Sequence, residues 1–248
     1  MGVFAGPANA WSNQTDSNRI DASTKAVVQS GLVLNLDAGA STSYPGSGTT
    51  WTDLSGQGNN GTLTNGPTYN SANGGSIVFD GSDDYINVPA NASNILTTLT
   101  MESWFKPTGT PGGGFHVLFQ KEGGFSGGSV YGLRALDSST FYAMICYSNL
   151  TGDQNFLYSN TVATVGNWYH VVSTFDSSYN WKIYINGSLE NSSTLTNVPY
   201  QISSLINIGT GDSRYTNGNI SSVKIYNIAL TASEIQQNFN ALRARYGI

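Results

Sequence analysis

From residue 30 onward the sequence alternates between short apolar segments and clusters of residues that favour turns. Segments such as GLVLNLDA (31–38), LTMESWFKP (99–107) and NWYHVVSTFD (167–176) are separated by Gly, Ser, Asn or Pro. About a dozen such segments predict two antiparallel sheets packed as a β-sandwich. Asn186 and Gly187 predict a tight hairpin, because a type I′ turn needs two residues that tolerate positive φ.

One helix is expected near the C-terminus, over residues 231–245. Thr231 and Glu234 have the spacing of a capping box, in which each side chain accepts a hydrogen bond from the backbone of the other residue's turn. Three apolar residues then recur at helical spacing: Ile235, Phe239 and Leu242. This stripe predicts a helix that packs against the sandwich.

The composition excludes several classes of function. Only 10% of the residues are charged, against about 25% in an average soluble protein. The net charge of −5 and the absence of a basic patch argue against binding to nucleic acid. No apolar stretch approaches the length of about 18 residues that a membrane helix needs. The abundance of Gly, Asn, Ser and Thr is typical of an all-β protein exposed outside the cell.

Residues 1–29 are polar and weakly periodic, and we interpret them as an extended N-terminal arm. Trp11, Phe4 and Ile20 are spaced like anchors that dock on a neighbour, although a disordered leader explains them equally well. Residues 30–248 then form one domain, which includes the helix. The start of the chain lacks a basic segment and a long apolar core, so we expect no secretory signal.

Several segments together resemble the laminin G-like, concanavalin A-like jelly-roll superfamily. They are WTDLSGQGNNG (51–61), FDGSDDYI (79–86), WFK (104–106), WYHVV (168–172), IYING (183–187), GNISSVKIY (218–226) and LTASEI (230–235). The phrasing around residues 32–63 and the ending EIQQNFNALRARYGI are similar in particular to virion-associated members from tailed phages. The resemblance implies a jelly roll, and the narrower likeness implies a protein that leaves the cell by lysis.

The superfamily contains glycosidases, lectins and adhesive domains, so the fold alone does not select a function. Retaining glycosidases need two carboxylates about 5 Å apart, and the Glu-x-Asp-x-x-Glu pattern of laminarinase-like members is absent here. The four glutamates are isolated from one another in sequence. We therefore expect a protein that is not an enzyme.

The loop over residues 51–61 is a candidate calcium site. Ca²⁺ binds six to eight oxygens from carboxylates, amides and backbone carbonyls. Asp53 and Asn59 supply such oxygens, and Asp37 and Asp80 are candidates for the acid that relatives carry where this chain has Ser221 and Ser222. The alternative is that Asp53 and Asn59 only hydrogen-bond their own loop.

Glycan binding is the main candidate function, because sugars are held by an aromatic face together with amides or carboxylates. The candidate sugar contacts are Tyr215, Phe125, Tyr44 and Tyr179, while the tryptophans are expected in the core or, for Trp51, packing the loop onto it.

The sequence thus predicts a non-enzymatic virion surface protein, such as a decoration, fibre or appendage component. Its jelly roll would bind host-surface glycans or neighbouring virion proteins, and the arm would join it to a homo-oligomer or larger assembly. The alternatives are a secreted, extracellular carbohydrate-binding module and a glycosidase.

Overall fold

The structure is a computed structural model that describes residues 26–123, 129–136, 139–146 and 153–248. Residues 1–25 of the expected arm and the candidate sugar contact Phe125 lie outside these ranges. The strands are β1 (Leu32–Asp37), β2 (Thr50–Trp51), β3 (Gly61–Thr64), β4 (Thr68–Asn70), β5 (Ser76–Asp80), β6 (Tyr85–Val88), β7 (Leu99–Pro107), β8 (Phe115–Glu122), β9 (Ser129–Leu136), β10 (Thr140–Cys146), β11 (Gln154–Val162), β12 (Tyr169–Phe175), β13 (Asn180–Ile185), β14 (Ser188–Thr194), β15 (Ile206–Ile208), β16 (Thr210–Gly211), β17 (Arg214–Tyr215) and β18 (Asn217–Tyr226).

Two antiparallel sheets contain most of these strands. Sheet A has the order β14-β13-β12-β7-β18-β5-β4, and β1 also pairs with β18. Sheet B has the order β11-β10-β9-β8-β15-β6-β3-β2, and β16 and β17 form a separate hairpin beside it. The two sheets pack face to face as the predicted jelly-roll sandwich, which is confirmed.

The space between the sheets is filled by large apolar side chains. Trp51, Phe79, Phe105, Phe119 and Phe141 are each at most 1% exposed. The predicted role of Trp51, which is to pack its loop onto the sandwich, agrees with this burial. Side chains alternate between the faces of a strand, so residues next to these face away from the core.

The one α-helix among the described residues, α1 (Ala232–Tyr246), begins with the predicted capping box, in which Thr231 Oγ1 accepts from the Glu234 amide and Glu234 accepts from the Thr231 amide. The apolar stripe of α1 covers the outer face of sheet A, where Trp104 stacks on Tyr246 with ring centres 4.1 Å apart. The Val28 amide donates to Asn238 of α1, so residues 26–29 also pack on this side. No helix in the described part of the chain is long and apolar enough to span a membrane.

A charged cluster is buried between α1 and sheet A. Glu102 is fully buried, with its Oε1 3.3 Å from both Lys224 Nζ and His170 Nε2. Asn238 of α1 donates to Glu102 Oε2 at 2.6 Å and to the Tyr226 hydroxyl at 2.9 Å. Burial alone would raise the pKa of Glu102, but attraction to Lys224 and the contacts with His170 and Asn238 lower it to about 2.

Hydrogen bonds join the edge strands β11 and β14, and most of them involve Glu190. The register of β11 on β10 shifts between the pairs Thr140–Val162 and Tyr142–Tyr158, which is a β-bulge. Glu190 on β14 accepts from the two backbone amides that this bulge frees, those of Asn160 at 2.8 Å and Thr161 at 2.9 Å. The side chain therefore closes one side of the sandwich without a strand pair.

Candidate functional site

Three of the four candidate sugar contacts lie in the described part of the chain, and they are far from equivalent. Tyr44 is 4% exposed, packs on Tyr69 and donates its hydroxyl to the Gly48 carbonyl. Its ring has no face open to a sugar, because the short loop around it folds the ring into the core. Tyr179 is exposed in the β12–β13 turn at a positive φ of 63°. Tyr215 is half-buried on β17.

Asp53 and Asn59 belong to one hydrogen-bonded loop. The Asp53 carboxylate accepts from the backbone amides of Asn35, Ser55 and Asn59 and from the Ser55 hydroxyl, at 2.7–2.9 Å. These donors hold the negative charge without an ion, as the alternative interpretation of the loop expects. The side-chain oxygens of Asn35 and Asn59 are buried and have no hydrogen-bond partner, so two amide oxygens remain for a cation.

Asp37 and Asp80 do not join this loop. Asp37 accepts a hydrogen bond from Arg245 at 2.7 Å. Burial alone would raise the pKa of Asp37, but this hydrogen bond, the charges of Lys224 and Arg245 and a hydrogen bond from the Gly39 amide together lower the pKa. Asp80 lies in the β5–β6 turn, where its carboxylate lies within 4.8 Å of those of Asp83 and Asp84. The four candidate metal ligands thus occupy three separate places.

The described residues leave the outer face of sheet B open, and a hydrogen-bonded polar network crosses it. Because α1 covers sheet A, this is the broad sheet surface that remains available to a ligand. The network runs across β6, β15, β8 and β9 to the β16–β17 hairpin: Asn87, Asn207, Glu122, Gln120, Arg134 and Asp212. Each side chain holds the next, so its donors and acceptors are fixed before a ligand arrives.

A pocket of about 610 Å³ lies at one end of this network. It is lined by Phe115, Glu122, Arg134, Gln154, Asp212, Ser213 and Arg214. The guanidinium carbons of Arg134 and Arg214 lie 4.6 and 4.4 Å from the centre of the Phe115 ring. The pocket therefore combines amide, carboxylate and guanidinium groups with an aromatic wall.

An aromatic stripe, consisting of Phe115, Tyr142, Phe156 and Tyr158, borders the pocket. Tyr142 lies 5.7 Å from Phe156 and 5.4 Å from Tyr158, measured between ring centres. Phe156 is 41% and Tyr158 is 44% exposed, because alternate residues of β11 point away from the core. Burial raises the pKa of Tyr142. The stripe gives the open face an apolar surface.

Two glycines shape the floor between network and pocket. Gly132 pairs with Gln120 across β9 and β8, and a Cβ atom there would lie 2.8 Å from the Phe119 carbonyl oxygen. A Cβ atom on Gly211 would lie 2.1 Å from the Gln120 side chain. Only glycine at these positions lets the Gln120 amide lie flat across the sheet.

None of the network residues of this face is predicted from the sequence as a sugar contact, and the candidate Tyr215 lies on β17, in the hairpin beside sheet B. The network residues come from strands far apart in sequence, and their alignment depends on strand register. One local signal was present: the segment QNFLYSNTV (154–162) alternates, with Phe156 and Tyr158 on the side that a single buried face leaves exposed.

A family model described as the concanavalin A-like lectin/glucanases superfamily matches residues 80–236, which is more than half of the 248 residues. No match was found among curated proteins. Many solved structures resemble the chain in fold.

Three of these structures are the binding domains of two botulinum neurotoxins and of a mosquitocidal protein. The receptor-binding domain of botulinum neurotoxin type G is 16% identical, with a TM-score of 0.63 over 85% of this chain and 51% of that one. The binding domain of paraclostridial mosquitocidal protein 1 is 17% identical, with a TM-score of 0.63 over 85% of this chain and 52% of that one. The binding domain of botulinum neurotoxin DC, solved in complex with SialylT, is 14% identical, with a TM-score of 0.66 over 86% of this chain and 52% of that one.

The chain spans about half the length of these structures, and at such identities the likeness concerns the fold. None of these three structures is a phage protein. The comparisons support the likeness to the superfamily and do not support the likeness to virion-associated members from tailed phages.

Proposed function

Since the chain belongs to the concanavalin A-like lectin/glucanases superfamily, we propose that it is a non-enzymatic glycan-binding domain with its site on the outer face of sheet B. The observation that carries this proposal is the open face on which the polar network adjoins the aromatic stripe. A pyranose ring has an apolar C–H side and a polar rim of hydroxyls, and this face offers a matching surface for each.

The stripe and the network have complementary roles in the proposal. Phe156 and Tyr158 are large exposed rings that sugar C–H groups can cover, which removes apolar surface from water. Asn207 presents an amide and Glu122 a carboxylate to hydroxyls, and hydrogen bonds with each other and with the buried Gln120 fix these groups in place. A fixed site loses little side-chain entropy on binding, so weak individual contacts suffice.

The proposal excludes hydrolysis because both carboxylates of the pocket are engaged in the network. Asp212 is paired with Arg134 at 2.5 Å, and Glu122 accepts from Asn207 and Gln120. A glycosidase needs one acid that gives a proton and one that stabilises or attacks the anomeric carbon. The similar solved structures are binding domains rather than enzymes, which supports the same view. Reducing-sugar release from any glycan that the protein binds would contradict it.

A glycan array tests the binding itself. We expect the protein to bind a subset of bacterial surface polysaccharides. Asn207→Ala should lower that affinity about 10-fold, because it removes the amide that meets a sugar hydroxyl. Asn197→Ala is the matched control, because Asn197 is exposed in a loop away from sheet B's face. Silence across the array, or equal losses in both variants, would refute the proposal.

The virion role is part of the proposal and is supported by the sequence phrasing alone. In it, the jelly roll is a surface component of a virion and the arm binds neighbouring virion proteins; a secreted module is the alternative. Residues 26–29 pack on the chain's own helix, so contacts with a neighbour would fall to residues 1–25. Labelling of native particles with an antibody against this chain tests the location: label on the virion supports it, and unlabelled particles contradict it.

A structural Ca²⁺ at the 51–61 loop is proposed on the two partnerless amide oxygens of Asn35 and Asn59 near the Asp53 network. With one carboxylate, the site would be weak. We expect millimolar Ca²⁺ to raise the melting temperature by a few degrees and Asn59→Leu to abolish the shift. An identical melting temperature in Ca²⁺ and in chelator would exclude the site.

A further inference from the structure

We propose that the preferred ligand is an acidic glycan, whose sugar carboxylate binds Arg214 in the pocket. This inference rests on the proposed glycan-binding function and adds the class of sugar. It starts from a difference between two arginines. Arg134 is 4% exposed and pairs with Asp212 at 2.5 Å, whereas no carboxylate of the described residues lies within 4.0 Å of the Arg214 guanidinium.

Arg214 is nevertheless held in place. Its Nε donates to the Gly113 carbonyl at 3.2 Å and its Nη1 donates to the Asp212 carbonyl at 2.7 Å. The guanidinium also lies over Phe115, with 4.4 Å from its central carbon to the ring centre. Among the residues that the structure describes, these contacts leave the guanidinium without a carboxylate within 4.0 Å while they restrict its movement, which is the arrangement that anion recognition needs.

The backbone is shaped around this arginine. Gly113 has a φ of +90°, and a Cβ atom on it would lie 2.6 Å from Arg214 Cγ. Both the positive φ and the close approach require glycine at residue 113. The loop before β8 thus makes room for the arginine stem and supplies the carbonyl that fixes its head.

The other pocket residues determine at which end of the pocket the sugar carboxylate binds. Glu122 lies in the same pocket and would repel a second carboxylate, so the acidic group is directed to the Arg214 end. Gln154 starts β11 and leads to Phe156 on the same face, so a ring whose carboxylate reaches Arg214 has amide and aromatic groups beside it. A planar guanidinium matches the two oxygens of a carboxylate. A uronic or sialic acid residue fits this chemistry.

Matched glycan pairs test the inference. Titration calorimetry would compare oligogalacturonate with its methyl ester, and sialyllactose with lactose, so that each pair differs in the acidic group. We expect the acidic member of at least one pair to bind about 10- to 100-fold more tightly, which is the range of a charge-assisted contact, and the preference to shrink as NaCl is raised.

In Arg214→Gln we expect the ratio between the affinities for the acidic and the neutral member of a pair to fall to about one. Arg214→Lys keeps the charge and should retain part of the preference. Lys182→Gln, which removes the same charge on sheet A, is the control and should behave as wild type. The melting temperature of each variant verifies folding.

Three outcomes are distinguishable. Equal binding of both members by the wild type, or an acidic preference that survives Arg214→Gln, overturns the acidic ligand and leaves the proposed function intact. Failure of the wild type to bind any glycan, acidic or neutral, overturns the proposed function and this inference with it.

Discussion

Replacing Glu102 by glutamine should destabilise the protein strongly at neutral pH, although the change keeps the size of the side chain. Glu102 is fully buried under α1, and it is the carboxylate that faces buried Lys224. Glutamine removes the negative charge and leaves the ammonium group without a counter-ion in a site that water does not reach. Removing one partner of a buried pair costs about 3–5 kcal/mol.

The pKa of Glu102 gives an independent estimate of the same order. The ordinary value is 4.5 and the folded value is about 2. Since a tenfold change in proton affinity corresponds to about 1.4 kcal/mol, this difference contributes about 3 kcal/mol to the free energy of unfolding. A lowered carboxyl pKa stabilises the fold fully above pH 4.5, and the contribution is lost as the pH falls from 4.5 towards 2. The gap between wild type and Glu102→Gln should therefore narrow over that interval.

Urea denaturation followed by tryptophan fluorescence measures this gap, because Trp104 lies beneath the helix next to the cluster. Glu234→Gln is the control: the residue is partly exposed and glutamine also serves in a capping box, so we expect a change below about 0.5 kcal/mol. A Glu102→Gln protein within 1 kcal/mol of wild type at pH 7, or a gap that stays constant down to pH 2.5, would refute the reasoning.

Three further outcomes are expected. Phe156→Ala and Tyr158→Ala should each weaken glycan binding about 10-fold without lowering the melting temperature. Leu189 is exposed on the edge of sheet A, and Leu189→Ala should bind as wild type. A loss of stability in place of a loss of affinity would show that the two rings serve packing. Thr231→Ala should cost about 1 kcal/mol in urea denaturation, because the Glu234 amide loses its acceptor, and an unchanged midpoint would contradict that role. Glu190→Ala should speed hydrogen exchange at the amides of residues 160 and 161, and continued protection there would show that other groups cover the bulge.

The helix start and the hairpin are predicted correctly because their signals are local in the sequence. The capping box spans the four consecutive residues 231–234, and α1 begins there. The hairpin at Asn186 and Gly187 is equally local, and both residues have the positive φ that the turn needs, 51° and 79°. Both features depend on chemistry between near neighbours in the chain, which a sequence displays directly.

The candidate site depends on distant residues, and a sequence does not display their alignment. Asn87 and Asn207 are 120 residues apart and meet only because β6 pairs with β15 in one register. A slip of β15 by one residue would turn the Asn207 amide towards the core and leave Asn87 without this partner. Tyr44 shows the converse problem: its glycine- and serine-rich neighbours indicate a surface loop, but the tight turn carries its ring inward.

The bond between Glu190 and the β11 bulge has a consequence for how binding strength can change over time. The exposed rings of Phe156 and Tyr158 lie on β11, and the position of that strand is set in part by a carboxylate on β14, in the other sheet. Substitution of Glu190 would remove this tie on β11 while leaving every ligand-contacting residue intact. Selection for a new sugar therefore has a route through the opposite sheet, and affinity-altering changes collected by directed evolution should include Glu190 itself.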